Sequence, residues 1–379
     1  MDFTPSEAAA DLAGLAADIA AAVSTPARVA DLEAGTAPID DRLWRKLAGA
    51  GLLGLAAPED DGGAGLGPEE TVAVAIALGR HLSRVPYGSH AVAAVPVLAT
   101  AGSARLRAEL LGPAATGAAI CSAAVEEDLG VDLHAPSATL TASGGSGLAL
   151  SGSKVNVPYA AAADALLVSV TGPDGPAVTA VRTGSAGVRI TETPSTGLTP
   201  VYQVDFTEVP VADDDVLTGG AATLARTVDL LRLAVAADQT GVIAAALEAT
   251  ATYAREREQF GRPIGSFQAV AQRLADGYID VQALTLTTEQ AAWLLSPEAG
   301  ADAGEISSAV ATAKFWAAEA GHRVAHTSVH VHGGVGLDTS HPAHRYFLRA
   351  KQNEFTLGTA PVVLDDLGAV LAASGLPGR

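Results

Sequence analysis

A single cysteine, Cys121, and a single methionine occur in 379 residues, and aromatic side chains make up only 4% of the chain. One thiol excludes an internal disulfide, and the reading that fits is a protein of a reducing cytoplasm. Basic residues are scarce as well: 23 Lys and Arg stand against 42 Asp and Glu, a formal net charge of -19. That charge repels a phosphate backbone or an anionic bilayer surface, so neither nucleic acid nor membrane is an expected partner. The opening stretch MDFTPSEAAADLAGLAADIAAA has no basic n-region and carries acids at Asp2, Glu7 and Asp11, so no secretory leader is expected. No apolar run reaches the roughly 18 uncharged residues that a bilayer span needs. What the chain does have is aliphatic bulk, 49% hydrophobic over its length, more than one compact domain usually buries. Two or three domains are expected.

Texture divides the chain into three. Over residues 1–113, stretches such as DRLWRKLAGAGLLGL and EETVAVAIALGRHL repeat apolar residues at helical spacing, with Leu43, Leu47, Leu52 and Leu53 able to share a face. A loop rich in proline and glycine, PEDDGGAGLGPEE, interrupts them before Pro68, Glu69 and Glu70 open a new helix. Over 114–219 come short β-branched runs, ALLVSVT, AVTAVRT and YQVDFTEVPV among them, separated by Gly, Ser or Pro; these predict a small antiparallel β domain, a closed barrel or a sandwich. Over 220–379 a long amphipathic pattern begins at TLARTVDLLRLAVAADQTG, and further helices are expected over roughly 266–294, 302–331 and 342–371, the lengths of a four-helix bundle. The whole is an α+β multidomain chain: helical domain, β-barrel, helical bundle.

YAREREQFGRPIGSFQAVAQRLAD (253–276) and VHVHGGVGL (329–337) resemble the paired signature of the acyl-CoA dehydrogenase family. LWRKLAGAGLLGLAAPEDDGGAGLG, LSGSKVNVPYAAAADALLVSV and VDFTEVPVADDDVL resemble, in the same order, parts of its first domain, its β domain and the exit from it. The resemblance implies FAD as cofactor, an acyl-CoA or acyl-carrier thioester as substrate, an electron-transfer flavoprotein as acceptor, and a dimer or tetramer with itself or with a homologous subunit. The chemistry is removal of an α proton by a carboxylate while the β hydrogen leaves as hydride to the flavin. In that family the ADP end of each flavin is gripped by the neighbouring subunit's bundle. By resemblance the grip here comprises Arg257, Gln259 and Phe260, with Gly333 and Gly334 near the adenosine, His330 where the family has a glutamine, and Thr359 near the flavin. A guanidinium suits a diphosphate because it forks onto phosphate oxygens.

Other positions depart from the pattern. The family's glutamate base precedes Gly-Thr on the last helix, or precedes an arginine on the first bundle helix; here those seats are Leu357 and Leu231. Leucine takes no proton at any pH. The loop that holds the flavin's pyrimidine edge reads AAVEEDLGVD (123–132), placing Glu126, Glu127 and Asp128 where neutral donors are usual, and KVNVPYA (154–160) lacks the tryptophan and threonine of the second flavin loop. Acids at that edge oppose reduction unless they point away. What is missing serves the chain's own flavin, and what is kept would serve a neighbour's. That is the pattern of a non-catalytic partner in a heteromeric dehydrogenase, a two-gene form found among steroid-degrading members. Three rivals stand beside it. One is a complete flavoenzyme whose base is displaced to Glu354, beside Lys351, or less favourably to Asp229. Another is a metal site on the stripe His322, His326, His330 with His332, which lacks an acidic or thiol ligand. A third is a flavin-free scaffold on the same fold.

Overall fold

The computed structural model describes residues 3–128, 132–143, 147–195 and 197–374; Asp2 and residues 129–131 of the acidic loop therefore lie outside the described residues. The N-terminal part is helical: α1 (Glu7–Val23), α2 (Pro26–Ala34), α3 (Asp41–Gly49) and α4 (Pro68–Arg80), then a π-helical turn (Gly88–Ala94) running into α5 (Val95–Ala101), α6 (Ala104–Leu106) and α7 (Gly112–Ala115). Helix α3 starts where the Asp40 carboxylate accepts the N–H groups of Arg42 and Leu43, and it buries Leu43, Trp44 and Leu47 on one face. In α4 the Glu70 carboxylate accepts the N–H of Gly67, closing the first turn after the proline.

Seven strands follow: β1 (Cys121–Ala124), β2 (Thr139–Ala142), β3 (Leu148–Pro158), β4 (Ala165–Gly172), β5 (Gly175–Arg182), β6 (Val188–Thr193) and β7 (Val201–Val211). They form one sheet in which β4 lies between β5 on one side and β1 with β2 on the other, and the path continues through β3 and β7 to β6. The expected barrel thus takes the form of a single curled sheet, because β5 and β6, its end strands, do not pair with each other among the described residues. Nor is it wholly antiparallel: β1 runs parallel to β4, Cys121 opposite Ala165, and β2 meets β4 in parallel at Thr139. Register shifts in the β3–β7 ladder bend the sheet. Alternation along β4 serves two cores: Ala165 and Leu167 face the helical domains, and Leu166, Val168 and Val170 face the inside of the curl.

The C-terminal helices are α8 (Ala221–Glu256), α9 (Gln268–Leu294), α10 (Ala303–His332), α11 (Ala343–Phe355) and α12 (Ala360–Ser374), with a two-strand hairpin of β8 (Glu258–Gln259) and β9 (Arg262–Pro263) after α8. The fourth helix expected over 342–371 is two helices, broken at residues 356–359. By length and composition two stretches could cross a bilayer, which counting uncharged runs did not show: Ala221–Glu256, whose apolar window is 72% buried within the fold, and Ala343–Ala372, whose window is 17% buried and which the break divides. Helix α8 crosses α4 at backbone contact. A Cβ on Gly241 would lie 2.1 Å from the Ile76 carbonyl oxygen, and one on Gly79 would lie 2.5 Å from that of Asp238, so both crossing points require glycine. This crossing brings the N-terminal helices, the sheet and the bundle to one seam.

Candidate functional site

Buried cations build the break in the fourth bundle helix. Lys314, fully buried on α10, donates from Nζ to the carbonyls of Gly358 (2.7 Å), Asn353 and Glu354 (both 3.3 Å). The last two belong to the end of α11, where carbonyls have no helical partner. Arg232 on α8 donates from Nε to the Leu357 carbonyl (3.2 Å) and from Nη2 to Asp366 (2.5 Å). Held this way, Leu357 adopts φ 58° and is followed by Gly358 at φ 111°. A bulky side chain in the left-handed region is a strained and uncommon state. Leu357 therefore sits in a break and not on a helix, because two cations and a glycine end α11 before it. Burial, with help from Arg232, pushes Lys314 down to about 7.

At the seam lies a cavity of about 120 Å³. Leu357 from the break and Leu231 from α8 both line it, together with Tyr87, Glu126, Asn156 and Asp238. The two seats that sequence reading treated as alternatives thus converge on one space, one from α8 and one from the break, and both are apolar. The Tyr87 hydroxyl at its wall is buried without a hydrogen-bond partner among the described residues, and burial raises its pKa well above the ordinary range. Asp238 is already committed: Arg349 grips it with a fork of Nε and Nη2 (2.8 and 2.9 Å), and Asn353 adds a third donor at 2.7 Å. Glu126 reaches from the sheet to accept the Leu357 N–H, with Asn156 Nδ2 at 3.5 Å, and burial raises it to about 7 against those donors and the nearby Lys314 and Arg232.

The other acids of that loop are disposed differently. Glu127 turns into the sheet and accepts from Lys154 Nζ (2.6 Å) and the N–H groups of Ser137 and Ala138 (2.7 and 2.9 Å); Lys154 also donates to Ser169 Oγ (2.7 Å). Against the cost of burial, Lys154 and Ser137 hold Glu127 at about 2, so it is a fixed anion inside the fold. Asp128 is exposed. Glu354 does not line the cavity: Lys351 Nζ (2.5 Å) and His322 Nδ1 (3.2 Å) hold its carboxylate elsewhere. Asp229 is buried against Ser307 Oγ (3.0 Å) and is likewise absent from the cavity wall, with burial raising its proton affinity. Thr359 is half-buried at the start of α12 and does not line the cavity either. Of the histidine stripe, His322 and His326 stack at 4.4 Å and His330 is exposed, and no set of three metal-ligating side chains is gathered among the described residues.

A second concavity lies at the far end of the bundle, where the ends of α8 and α10 meet. Arg257, Gln259, Gly333 and Gly334 line this groove, with Tyr253, His332 and Asp338. Gly333, at φ 62°, terminates α10, and a Cβ on either glycine would find nothing within 4 Å, so the bare backbone faces open space. Arg257 has no carboxylate partner among the described residues, unusual in a chain with so many acids. Phe260 is 93% exposed at the tip of the β8–β9 hairpin, with φ 54° beside Gly261 at 76°. Turns of that hand favour Asn-Gly or Gly-Gly, so a phenylalanine held there and pointed at solvent is a costly arrangement. His330 does not line the groove; the histidine there is His332, which the sequence offered only as a member of a metal stripe. Lys314, a lone charge within SAVATAKFWAA, was the other signal available.

A helical domain, a curled sheet and a helical bundle meeting at a seam cavity define the architecture of a flavin-linked thioester dehydrogenase. Residues 6–118 match the family model described as acyl-CoA dehydrogenase, N-terminal domain, and residues 218–372 match its C-terminal domain. The chain is 47% identical to acyl-CoA dehydrogenase FadE27 of Mycobacterium tuberculosis, over 98% of this chain and 99% of that one. Among solved structures it resembles a chain of the ChsE4-ChsE5 complex from Mycobacterium tuberculosis, with TM-score 0.92 and 46% identity over 98% of this chain and 99% of that one. It also resembles a chain of the Tcur3481-Tcur3483 steroid ACAD, with TM-score 0.90 and 40% identity over 97% and 98% of the two chains. The chain belongs to the acyl-CoA dehydrogenase family, whose members are FAD-dependent oxidoreductases.

Proposed function

We propose that this chain is the subunit without the base in a heteromeric acyl-CoA dehydrogenase, and that it holds the ADP end of a flavin whose ring works in a homologous partner. The observation that carries this reading is the convergence of Leu231 and Leu357 on one cavity, which leaves no carboxylate in either seat. The remaining acids at the wall are Asp238, bound to Arg349, and Glu126, bonded to the Leu357 N–H. The residues at the seam do not fit a flavin ring and a thioester together: a cavity of about 120 Å³ is comparable to the roughly 150 Å³ engineered cavity that takes up benzene. The groove does fit a diphosphate and adenosine. It offers an uncommitted guanidinium, two glycines with open space before them, and an outward hairpin tip.

FAD, when bound across the two subunits, supplies the hydride acceptor. The carboxylate that would take the thioester's α proton would be the partner's own, and an electron-transfer flavoprotein would be the acceptor of the electrons. This chain's residues position the nucleotide: Arg257 neutralises phosphate charge, and Gly333 and Gly334 allow close backbone approach. Two structures of high similarity are named as pairs of unlike chains and one as a steroid ACAD, which supports a heteromer and a steroid-linked acyl thioester as substrate.

The test is flavin absorbance per chain, for the protein purified alone and co-expressed with a dehydrogenase-like gene adjacent to its own. Little flavin alone, rising to about one per pair of unlike chains, is the expected result; about one per chain when alone would overturn it. A second reading, a complete flavoenzyme with a displaced base, is favoured by the position of Glu126 on the cavity wall and its titration at about 7. It requires acyl-CoA oxidation by the isolated chain, abolished in Glu126→Gln.

A further inference from the structure

The groove at the bundle end holds a balance of charge that the sequence signature does not account for. Its fixed cation is Arg257, and its fixed anion is Asp338, which the backbone and hydroxyl of Ser340, and then His341, hold ionised below the usual carboxylate range. A diphosphate arriving there meets no net positive charge from these two, in a chain already at -19. The side chain able to tip the balance is His332. Its ring stacks on Tyr253 at 4.4 Å and 24°, which fixes its plane. Its Nδ1 donates to the Ser328 carbonyl at 2.8 Å, so the proton on that nitrogen is committed within α10. The second nitrogen, Nε2, has no hydrogen bond to protein among the described residues and belongs to a ring that lines the groove. Neutral, it only accepts; protonated, it donates to a phosphate oxygen and adds a charge.

We propose that His332, and not His330, is the histidine of the nucleotide groove, and that its Nε2 proton sets how tightly the groove holds a diphosphate. The inference rests on the nucleotide reading of this groove given above. The groups facing His332 are Tyr253 of α8, Arg257 just past its end, Asp338, and His341, whose ring centre lies 5.2 Å away. Burial and the neighbouring His332 hold His341 below the usual histidine range. Behind it His344 of α11 donates from Nδ1 to the His341 carbonyl (2.6 Å) and sets Nε2 3.8 Å from Glu33 of α2, which Arg345 also holds. His344 does not line the groove and its Nε2 is buried with no hydrogen-bond partner among the described residues, though its charge would bear on Asp338 and His341.

The probe is ADP-ribose, whose pyrophosphate keeps the same charge from pH 5.5 to 8, titrated calorimetrically into the full chain. Wild type should lose about tenfold in affinity across that range, the size expected when a charge-assisted hydrogen bond to phosphate is withdrawn. In His332→Asn, whose amide can still donate to the Ser328 carbonyl, the affinity should be low and flat with pH. His330→Gln should keep the wild-type slope. A slope that survives in His332→Asn, or one that disappears in His330→Gln, overturns the assignment to His332 while leaving the groove as a nucleotide site. Failure of wild type to bind at any pH overturns the groove reading and this inference with it. A structural role for His332 alone would lower affinity without changing the slope.

Discussion

Replacing Lys314 by methionine tests the device that presents residue 357 to the seam. The ammonium is fully buried, and burial brings it from an ordinary 10.5 to about 7. Between those two values the unfolded chain binds a proton that the folded chain does not, so stability rises with pH through that window; below 7 both states hold the proton and the cost of burying the charge is borne in full. At 1.36 kcal/mol per pKa unit, raising the pH from 7 to 9.5 should add on the order of 3 kcal/mol from this group alone. Methionine keeps the length of the side chain but cannot titrate, and it leaves the carbonyls of Asn353, Glu354 and Gly358 without their donor. Urea unfolding followed by tryptophan fluorescence is suited to the comparison, since Trp316 lies two residues along the same helix. The stability of wild type minus that of Lys314→Met should grow by on the order of 3 kcal/mol from pH 7 to pH 9.5. Curves that stay parallel within about 0.5 kcal/mol would mean that Lys314 titrates normally and that the break is held by something else.

Returning a carboxylate to its seat in Leu357→Glu should not give the isolated chain acyl-CoA-dependent dye reduction, because the loops 123–132 and 154–160 lack the donors, tryptophan and threonine of a flavin seat; steady turnover would show that the carboxylate was all that was lacking. Arg257→Gln in the co-purified complex should weaken flavin retention by about tenfold, read as absorbance lost on gel filtration, while leaving chain pairing intact. Glu127→Gln should cost about 3–5 kcal/mol in urea unfolding because it strands Lys154 without an anion, whereas the double change Glu127→Leu with Lys154→Met should recover most of it. In wild type the Glu127 contribution is present above its ordinary pKa near 4.5 and is lost as pH falls through about 2, so acid unfolding of the double variant should lack that portion of the slope.

What was legible in the sequence follows from which interactions are local. The helix opened by Pro68, Glu69 and Glu70, the strand ALLVSVT and the long helix beginning near TLART are each set by residues near one another in the chain, and the structure has α4, β4 and α8 at those places. The break at 356–359 has a local signal, since Pro361 offers no N–H to the Leu357 carbonyl and Gly358 precedes it, and a continuous helix over 342–371 overlooked it; what was not legible is what holds the break, Lys314, about 40 residues earlier, and Arg232, further still. The same distance hid the fate of the acidic loop. Three consecutive acids at 126–128 read as a single electrostatic obstacle, yet their surroundings make them three different groups: Glu127 a fixed anion inside the sheet, Glu126 an acid titrating near neutrality at the seam, and Asp128 exposed.

Histidines mislead for a related reason. Helical spacing places His322, His326 and His330 on one stripe, and spacing alone invites a metal or assigns the groove to His330. Which ring faces a neighbour depends on its place around the helix: His330 and His332 are two residues apart, roughly 200° around α10, so the phase that sets His332 against Tyr253 leaves His330 in solvent, and Gly333 then ends the helix. A change that extends α10 past Gly333, such as Gly333→Ala at φ 62°, should therefore disturb the groove by straining this terminus, with no ligand-contacting atom removed.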